Sequence, residues 1–237
     1  MKTEGYLFCN FGNIIYAKMV NRLIKQVRVY DKVRPICVLT DDLSKKVFIE
    51  DDDVEYKYID IESHIHASIN MNIQWNRFGF IPKIYQYLYT PFENTCFIDA
   101  DMVFHHDFTF IWKMFNDENV PLLIPGLCDE QLKSPAEWHW GYIHDVIHHC
   151  GFNVPQVWST MFIYNTHFKN MLKEEQLIEY CLDNLHRWNV KIQFRDNGIA
   201  DEIIYAFILG KIHVKPNSIL HQWLHDENNC TPFEKEV

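Results

Sequence analysis

Residues 95–103 of this chain read Thr-Cys-Phe-Ile-Asp-Ala-Asp-Met-Val. The first half of this stretch is a short apolar run that predicts a buried strand, and its second half places Asp99 and Asp101 directly after that strand. Two carboxylates in this position would be costly to bury without a ligand or a partner. Because Mg²⁺ and Mn²⁺ prefer oxygen ligands and bind through carboxylates together with substrate phosphates, we interpret the pair as a metal-binding Asp-x-Asp motif.

Apolar runs alternate with amphipathic segments on the amino-terminal side of this motif. The runs predict strands at residues 6–9, 35–40, 54–59 and 95–98, and three- and four-residue spacing predicts helices at residues 16–27 and 78–88. Such alternation implies a mostly parallel sheet with helices on both faces. We therefore predict a Rossmann-like α/β fold with a mixed, mainly parallel central sheet, in a single domain spanning residues 1–237.

The carboxyl-terminal half has a less regular pattern. Residues 120–124 and 161–164 predict strands. A long amphipathic pattern predicts one helix over residues 168–187, and a mostly apolar pattern predicts a shorter helix over residues 201–209. We expect these elements to complete the same domain.

Polar residues follow three of the predicted strands. Asn10 comes after the first strand, Thr40 and Asp41 come at the end of the second, and Asp99 comes after the fourth. In open α/β sheets, ligands bind beyond the carboxyl ends of the strands. The strand ends therefore predict a binding site at one edge of the sheet.

Composition excludes several classes of protein. The chain is 48% hydrophobic and 15% aromatic, which indicates a packed globular protein, and its net charge of −10 argues against binding to a nucleic-acid backbone. No apolar stretch is long enough for a membrane span, and the first residues lack a signal-peptide pattern, so we expect a cytoplasmic location. The seven cysteines are odd in number and have no C-x-x-C spacing, which predicts free thiols.

The segment Pro91–Asp101 resembles the part of GT-A-fold glycosyltransferases in which a strand delivers the Asp-x-Asp motif. In pattern it is most similar to glycosyltransferase family 8, the glycogenin and galactosyltransferase-like enzymes. The resemblance implies a GT-A fold and transfer of a sugar from a nucleotide-diphosphate donor, UDP-sugar above all. The implied acceptor is a hydroxyl of a glycan, a protein or a small molecule, and the implied cofactor is Mn²⁺ or Mg²⁺.

The resemblance extends over most of the chain and implies donor contacts. Residues 10–16 and 38–41 are similar to the two strand ends that hold the nucleotide base and ribose in that family. Residues 77–83 resemble the basic helix that precedes the Asp-x-Asp strand, whose Arg or Lys contacts the donor. The donor-binding residues implied in this way are Asn10, Tyr16, Thr40, Asp41, Arg77, Lys83, Asp99, Ala100 and Asp101.

Two carboxylates and one histidine complete the implied site. Asp201 and Glu202 occupy the place of the family's Asp-Gln pair, and we predict them as the catalytic residues. They would either deprotonate the acceptor hydroxyl or stabilise the developing positive charge on the sugar, and Glu in place of Gln leaves the stereochemical outcome open. A carboxyl-terminal histidine is the family's third metal ligand. The candidates are His213, His221 and His225, of which we choose His221 to join Asp99 and Asp101.

Each of these residues also has a simpler structural interpretation. Asp201 and Glu202 can cap the amino terminus of a helix. Lys83 and Arg77 can be solvated helix positions. A histidine near the surface, such as His221, is often only a polar surface residue.

Two other functions fit parts of the sequence. Residues 99–103 also match the Asp-x-Asp-x-Thr/Val motif of haloacid-dehalogenase-type phosphatases, with Asp99 as the nucleophile, but that motif normally stands at the start of the chain. A catalytically silent carbohydrate-binding protein is the second alternative. The glycosyltransferase interpretation would fail if Asp99 and Asp101 were both held in salt bridges and pointed away from any cavity.

Overall fold

The computed structural model describes residues 3–11, 14–42, 53–59, 83–128, 150–187 and 201–232. The strands are β1 (Glu4–Asn10), β2 (Ile36–Thr40), β3 (Val54–Tyr58), β4 (Asn94–Ile98), β5 (Met102–Phe104), β6 (Leu122–Leu123), β7 (Gly126–Leu127), β8 (Gln156–Val157), β9 (Met161–Tyr164) and β10 (Cys230–Pro232). The helices are α1 (Ile14–Tyr30), α2 (Phe110–Glu118), α3 (Thr166–Glu174), α4 (Leu177–Arg187), α5 (Asp201–Ile212) and α6 (Ser218–His225), with a 3-10 helix at Gln86–Leu88.

The central sheet has the strand order β3-β2-β1-β4-β9-β6. Strands β3, β2, β1 and β4 are parallel to one another, whereas β9 runs antiparallel to both β4 and β6. The sheet is therefore mixed and mainly parallel, as the sequence predicted. Asn10 lies opposite Thr40 in the register of β1 and β2, and Leu7 lies opposite Phe97 in that of β1 and β4. The carboxyl ends of these strands consequently share one edge of the sheet.

Both faces of the sheet are buried. Leu7 of β1 packs into a cluster that includes Phe207 of α5, whereas Tyr6 and Phe8 pack into a second cluster that includes Val20 of α1. Because alternate side chains of one strand enter two different apolar layers, the strands read as continuous hydrophobic runs in the sequence.

Two small ribbons connect the carboxyl-terminal elements to this edge. Strand β10 pairs antiparallel with β5, which directly follows the Asp-x-Asp turn, and places Pro232 opposite Met102. Strand β7 pairs antiparallel with β8. Helix α6 is capped by Asn217, whose side chain accepts from the backbone N–H of Leu220 at 2.7 Å. The backbone N–H of Asn217 also donates to the carbonyl of Ile124, which anchors α6 beside β7.

Some predicted elements differ from the observed ones. The single helix predicted over residues 168–187 is wrong, because α3 ends at Glu174 and α4 begins at Leu177. Gln176 between them has a left-handed backbone with φ of 48°, which an α-helix cannot continue through. Within the predicted helix over residues 78–88, Gln86–Leu88 forms a 3-10 helix, and residues 78–82 lie outside the described ranges.

Two composition-based predictions can be compared with the structure. All seven cysteines carry free thiols, as their odd number predicted. In the ranges that the structure describes, no helix combines the length and the apolar character needed to cross a membrane.

A buried polar network lies toward the amino-terminal ends of β1 and β2. One carboxylate oxygen of Asp31 accepts from the Tyr6 hydroxyl at 2.9 Å and from the Arg34 guanidinium at 2.7 Å. The Trp112 indole N–H donates to the Tyr6 oxygen at 2.9 Å. The other oxygen of Asp31 accepts two backbone N–H groups, those of Val33 and Arg34. Burial alone would raise the pKa of Asp31, but Arg34 and the other donors outweigh burial and hold that pKa below its usual range.

We expect the substitution Asp31→Asn to lower the free energy of unfolding by about 2 kcal/mol, because it removes a buried charge from paired donors. Urea denaturation at pH 7 measures the change. The matched control is Asp117→Asn, which breaks an exposed ion pair with Lys113 on α2. Its effect should stay within about 0.5 kcal/mol. Equal losses of unfolding free energy in the two variants would contradict a stabilising role of the buried Asp31 network.

The contribution of Asp31 should also depend on pH. Since its pKa is lower in the folded than in the unfolded protein, its stabilising effect is complete above the unfolded pKa and is lost as pH falls through the folded one. The difference in unfolding free energy between wild type and Asp31→Asn should therefore be constant from pH 7 to about 5 and shrink below about pH 4. If the difference in unfolding free energy between the two proteins did not change on acidification, the stabilising effect of ionised Asp31 would be contradicted.

Candidate active site

The Asp-x-Asp motif forms a tight turn between β4 and β5. The backbone N–H of Asp99 donates to the carbonyl of Thr160 at 2.8 Å, and the N–H of Met102 donates back to the carbonyl of Asp99 at 3.3 Å. Ala100 is buried at the centre of the turn, whereas the side chain of Asp99 is 22% exposed and that of Asp101 is half-buried. Both carboxylates therefore reach the surface at the carboxyl edge of the sheet.

The ammonium group of Lys83 joins two carboxylates that are distant in the sequence. Its Nζ lies 2.8 and 2.9 Å from the two carboxylate oxygens of Asp99 and 2.5 Å from Oδ2 of Asp201. The same Nζ lies 5.4 Å from the centre of the Phe97 ring, in a cation–π contact. The Lys83 side chain is only 11% exposed. The interpretation of Lys83 as a solvated helix position is therefore wrong.

Asp201 is the first residue of α5, and its side chain is buried. Besides Lys83, its Oδ2 accepts a hydrogen bond from the hydroxyl of Ser159 at 2.5 Å. A helix amino terminus favours a carboxylate, which agrees with the capping interpretation. Capping alone, however, does not require an ion pair with Lys83. Glu202 follows in the first turn of the same helix and is half-buried.

The fold shifts the pKa values of Lys83, Asp99 and Asp201 to different degrees and in different directions. Burial raises the pKa of Asp99, and the negative charges of Asp101 and Asp201 add to this effect, so that Lys83 offsets it only in part. Burial alone would also raise the pKa of Asp201, but Lys83 and the Ser159 hydroxyl outweigh it and hold that pKa below its usual range. Burial alone would lower the pKa of Lys83, yet Asp201 and Asp99 raise it well above its usual range. Lys83 and Asp201 are consequently charged at neutral pH and form an ion pair.

Three of the predicted donor-binding residues meet at the ends of β1 and β2. The amide nitrogen of Asn10 lies 3.5 Å from the Thr40 hydroxyl oxygen, which in turn lies 3.5 Å from the carbonyl oxygen of Asp41. All three residues are buried. The amide oxygen of Asn10 has no hydrogen-bond partner within the described residues. Tyr16 lies in the first turn of α1 with 44% of its surface exposed, next to the exposed Ile15.

His221 lies on α6, where its ring stacks on the indole of Trp158 at a centroid distance of 4.0 Å. The ring of His225 makes an edge contact with it at 4.2 Å. Burial and the neighbouring His225 lower the pKa of His221 to about 4, so its imidazole is neutral at neutral pH. Its Nδ1 is buried and has no hydrogen-bond partner in the described part of the chain.

The structure brings some predicted site residues together and leaves others apart. Lys83, Asp99 and Asp201 form one cluster. Across the described ranges, no three His, Cys, Asp or Glu side chains converge closely enough to hold a metal, so the set of Asp99, Asp101 and His221 stays a prediction. Arg77, the other basic donor-binding residue, lies outside the described ranges.

The two aspartates of the Asp-x-Asp motif differ in their ion pairs. Asp99 does form a salt bridge with a lysine, but its side chain remains partly exposed at the sheet edge. Asp101 makes no salt bridge to any of the residues that the structure describes, and it is also partly exposed. The two aspartates are therefore not both neutralised, and neither is removed from the surface.

Sequence reasoning did not single out Ser159 as a site residue. The residue stands in the run Trp158-Ser159-Thr160 immediately before a strongly apolar strand. A small polar residue at the entry of a buried strand is the signal that could have identified it, but its partner Asp201 is far along the chain and only the fold shows the contact.

Comparison with solved structures shows that the chain has the GT-A fold of glycosyltransferases. Mouse xyloside xylosyltransferase 1 in its apo form matches with a TM-score of 0.58 at 9% identity, over 91% of this chain and 85% of that one. The galactosyltransferase LgtC in complex with donor and acceptor sugar analogues matches with a TM-score of 0.57 at 11% identity, over 87% of this chain and 70% of that one. An active-site mutant of LgtC with Glu in place of Gln matches with the same TM-score at 10% identity. No family model matches the sequence, and no curated protein matches it.

The Lys83 ion pairs give a stability prediction. Lys83→Met should lower the free energy of unfolding by about 3 kcal/mol, because it leaves the buried carboxylate of Asp201 and the partly exposed carboxylate of Asp99 without their shared cation. Chemical denaturation at pH 7 measures the loss. The control Lys113→Met removes the exposed partner of Asp117 and should change stability by no more than about 0.5 kcal/mol. If Lys83→Met were as stable as this control, the bridge would not be a major structural contact.

Proposed function

We propose that this protein is a metal-dependent glycosyltransferase, of the family 8 type, that moves a sugar from a nucleotide-diphosphate donor, UDP-sugar above all, to an acceptor hydroxyl. The acceptor is a glycan, a protein or a small molecule. The observation that carries the proposal is the Lys83 ammonium held between Asp99 and Asp201 at the carboxyl edge of a GT-A-fold sheet. Ligands of open α/β sheets bind at this edge.

The ends of β1 and β2 fit the nucleoside part of such a donor. The amide oxygen of Asn10, which has no hydrogen-bond partner among the described residues, can accept an N–H of the base. Asp41, at the carboxyl end of β2, offers carboxylate oxygens to the ribose hydroxyls. The exposed ring of Tyr16 provides a surface on which a base can stack. These residues would fix the nucleotide while the diphosphate extends toward Asp99.

Asp99, Asp101 and His221 would hold the Mn²⁺ or Mg²⁺ ion: their donor atoms suit such a cation, although the three side chains do not converge in the structure described here. Asp99 and Asp101 offer hard carboxylate oxygens, and Ala100 between them leaves room for the diphosphate. His221 is neutral at physiological pH, and its buried Nδ1 has no partner among the residues that the structure describes, which suits a metal ligand. When bound, the cation supplies Lewis-acid stabilisation of the leaving nucleotide diphosphate.

The other charged residues act on the donor directly. The Lys83 ammonium can contact the diphosphate and neutralise part of its charge, a role that Arg77 would share. Asp201 is held ionised, so it places a negative charge where a sugar develops positive charge. Either Asp201 or its neighbour Glu202 would accept the proton of the acceptor hydroxyl if the transfer inverts configuration.

Donor binding is expected to raise the melting temperature of the protein only when metal is present. A differential scanning experiment with UDP-, GDP- and dTDP-sugars, each with and without Mn²⁺, measures this effect. We expect one nucleotide to stabilise the protein, with a dissociation constant that rises strongly when the metal is chelated. The proposal fails if no sugar nucleotide binds under any metal condition.

Asp101→Asn should lower the rate of donor hydrolysis, measured as nucleoside diphosphate release, by at least about a hundredfold, because it removes a charged metal ligand. Asp117→Asn, on the exposed face of α2, carries the same chemical change and should retain full activity. If Asp99→Asn instead abolished a burst of phosphate release from p-nitrophenyl phosphate, the phosphatase alternative would be supported.

His221→Asn should weaken Mn²⁺ binding to the nucleotide complex by about tenfold, since it removes a nitrogen ligand. The matched control is His213→Asn, because His213 is exposed at the end of α5 in a left-handed conformation that Asn tolerates. Titration followed by the electron paramagnetic resonance signal of free Mn²⁺ measures both affinities. Equal affinities in the two variants would exclude His221 as the third ligand.

A further inference from the structure

Three consecutive residues, Trp158–Thr160, touch three separate parts of the site. The carbonyl of Thr160 accepts from the backbone N–H of Asp99, and the Ser159 hydroxyl donates to Asp201. The Trp158 ring stacks on His221. This segment is therefore the physical link between the Asp-x-Asp turn, the start of α5 and helix α6.

Regular pairing holds this segment in place at both ends. Immediately after it, β9 pairs antiparallel with β4, and Met161 lies opposite Ile98. At its start, the N–H of Trp158 donates to the carbonyl of Pro125 at 3.0 Å. A side chain on such a segment has little freedom to shift, because its backbone is fixed by neighbouring strands. The Ser159 hydroxyl therefore has a nearly fixed position relative to the group that it contacts.

The hydroxyl of Ser159 is directed at a charged atom of the site. Ser159 is fully buried, and its hydroxyl donates to the same oxygen of Asp201, Oδ2, that receives the Lys83 ammonium. Two donors on one oxygen restrict the rotation of the carboxylate about its side-chain bonds. A buried carboxylate that lost one of them would retain a single side-chain contact at this oxygen among the described hydrogen bonds and ion pairs.

We propose that Ser159 is a positioning residue for sugar transfer, which holds the carboxylate of Asp201 in the orientation that contacts Lys83. This inference rests on the proposed function, since it assigns Asp201 a role beside the reacting sugar. Ser159 itself touches no substrate in this account. Small displacements of a charged group beside a reacting centre reduce the rate strongly, even when binding is unaffected.

The test compares Ser159→Ala, which removes the donor, with Ser159→Thr, which keeps a hydroxyl, and Ser159→Cys, which keeps a weak donor of similar size. Ser159→Ala should lower kcat for donor hydrolysis by about tenfold, while KM for the donor changes by less than about twofold, because the contacts at Asn10 and Thr40 are untouched. Ser159→Thr or Ser159→Cys should recover part of the lost kcat. The control Thr166→Ala removes an exposed hydroxyl that donates to the Glu93 carbonyl and should leave both constants unchanged.

The results that would overturn the inference are an unchanged kcat in Ser159→Ala, or a rise in donor KM that accounts for the whole loss. A loss of kcat that neither hydroxyl nor thiol variant recovers, when both variants fold, would also overturn it. That result would assign Ser159 to packing alone.

A double-mutant cycle separates failure of this inference from failure of the proposed function. The unfolding equilibrium constants of wild type, Ser159→Ala, Asp201→Asn and the double variant require no activity. If the two substitutions acted independently, the effect of the double variant on this constant would be the product of the two single effects. We expect it to depart from that product by about tenfold, since Ser159 and Asp201 share one charge-assisted hydrogen bond. Coupling below about twofold overturns the positioning role. Full coupling in a protein that binds no sugar nucleotide would support the contact between Ser159 and Asp201 but would overturn the proposed function, and with it the role of Ser159 in sugar transfer.

Discussion

The ion pairs of Lys83 are the interaction on which the candidate site depends. A single buried ammonium lies between Asp99 at the end of β4 and Asp201 at the start of α5, and so joins the two halves of the chain. Without a cation between them, two carboxylates at this depth would be costly to keep charged.

The direction of the strands places the ion pairs of Lys83 at the carboxyl edge of the sheet. Because β1, β2 and β4 are parallel, their polar ends meet at the same edge, while the antiparallel β9 enters from that edge and brings Ser159 to Asp201. The pairing of β10 with β5 returns the carboxyl-terminal segment to the strand after the Asp-x-Asp turn. Residues from the beginning, middle and end of the described chain therefore contribute to one surface.

Much of the fold was predictable because hydrophobic periodicity is a local property. The runs before Asn10, Thr40 and Asp99 are apolar on both faces, which is typical of parallel strands, and each was observed as a strand. The break between α3 and α4 was not predictable from that pattern, because the amphipathic spacing continues through Gln176 although its backbone does not. Helix α6 was also missed, since its apolar side chains, such as Trp223, pack against Phe104 and Phe110, which are far away in the sequence.

The sequence by itself determined the mainly parallel sheet and the Asp-x-Asp turn at its carboxyl edge, because both follow from residue types at close spacing. Through the family resemblance it also indicated Asp201 and Lys83 as candidates, with helix capping as the alternative role of Asp201 and a solvated helix position as that of Lys83. Only the tertiary structure decided that these two residues share an ion pair and that Ser159 supports it. The physical reason is that a buried charge takes its partner from whichever segments the core packing brings within a few ångströms, and that distance is not encoded by separation along the chain.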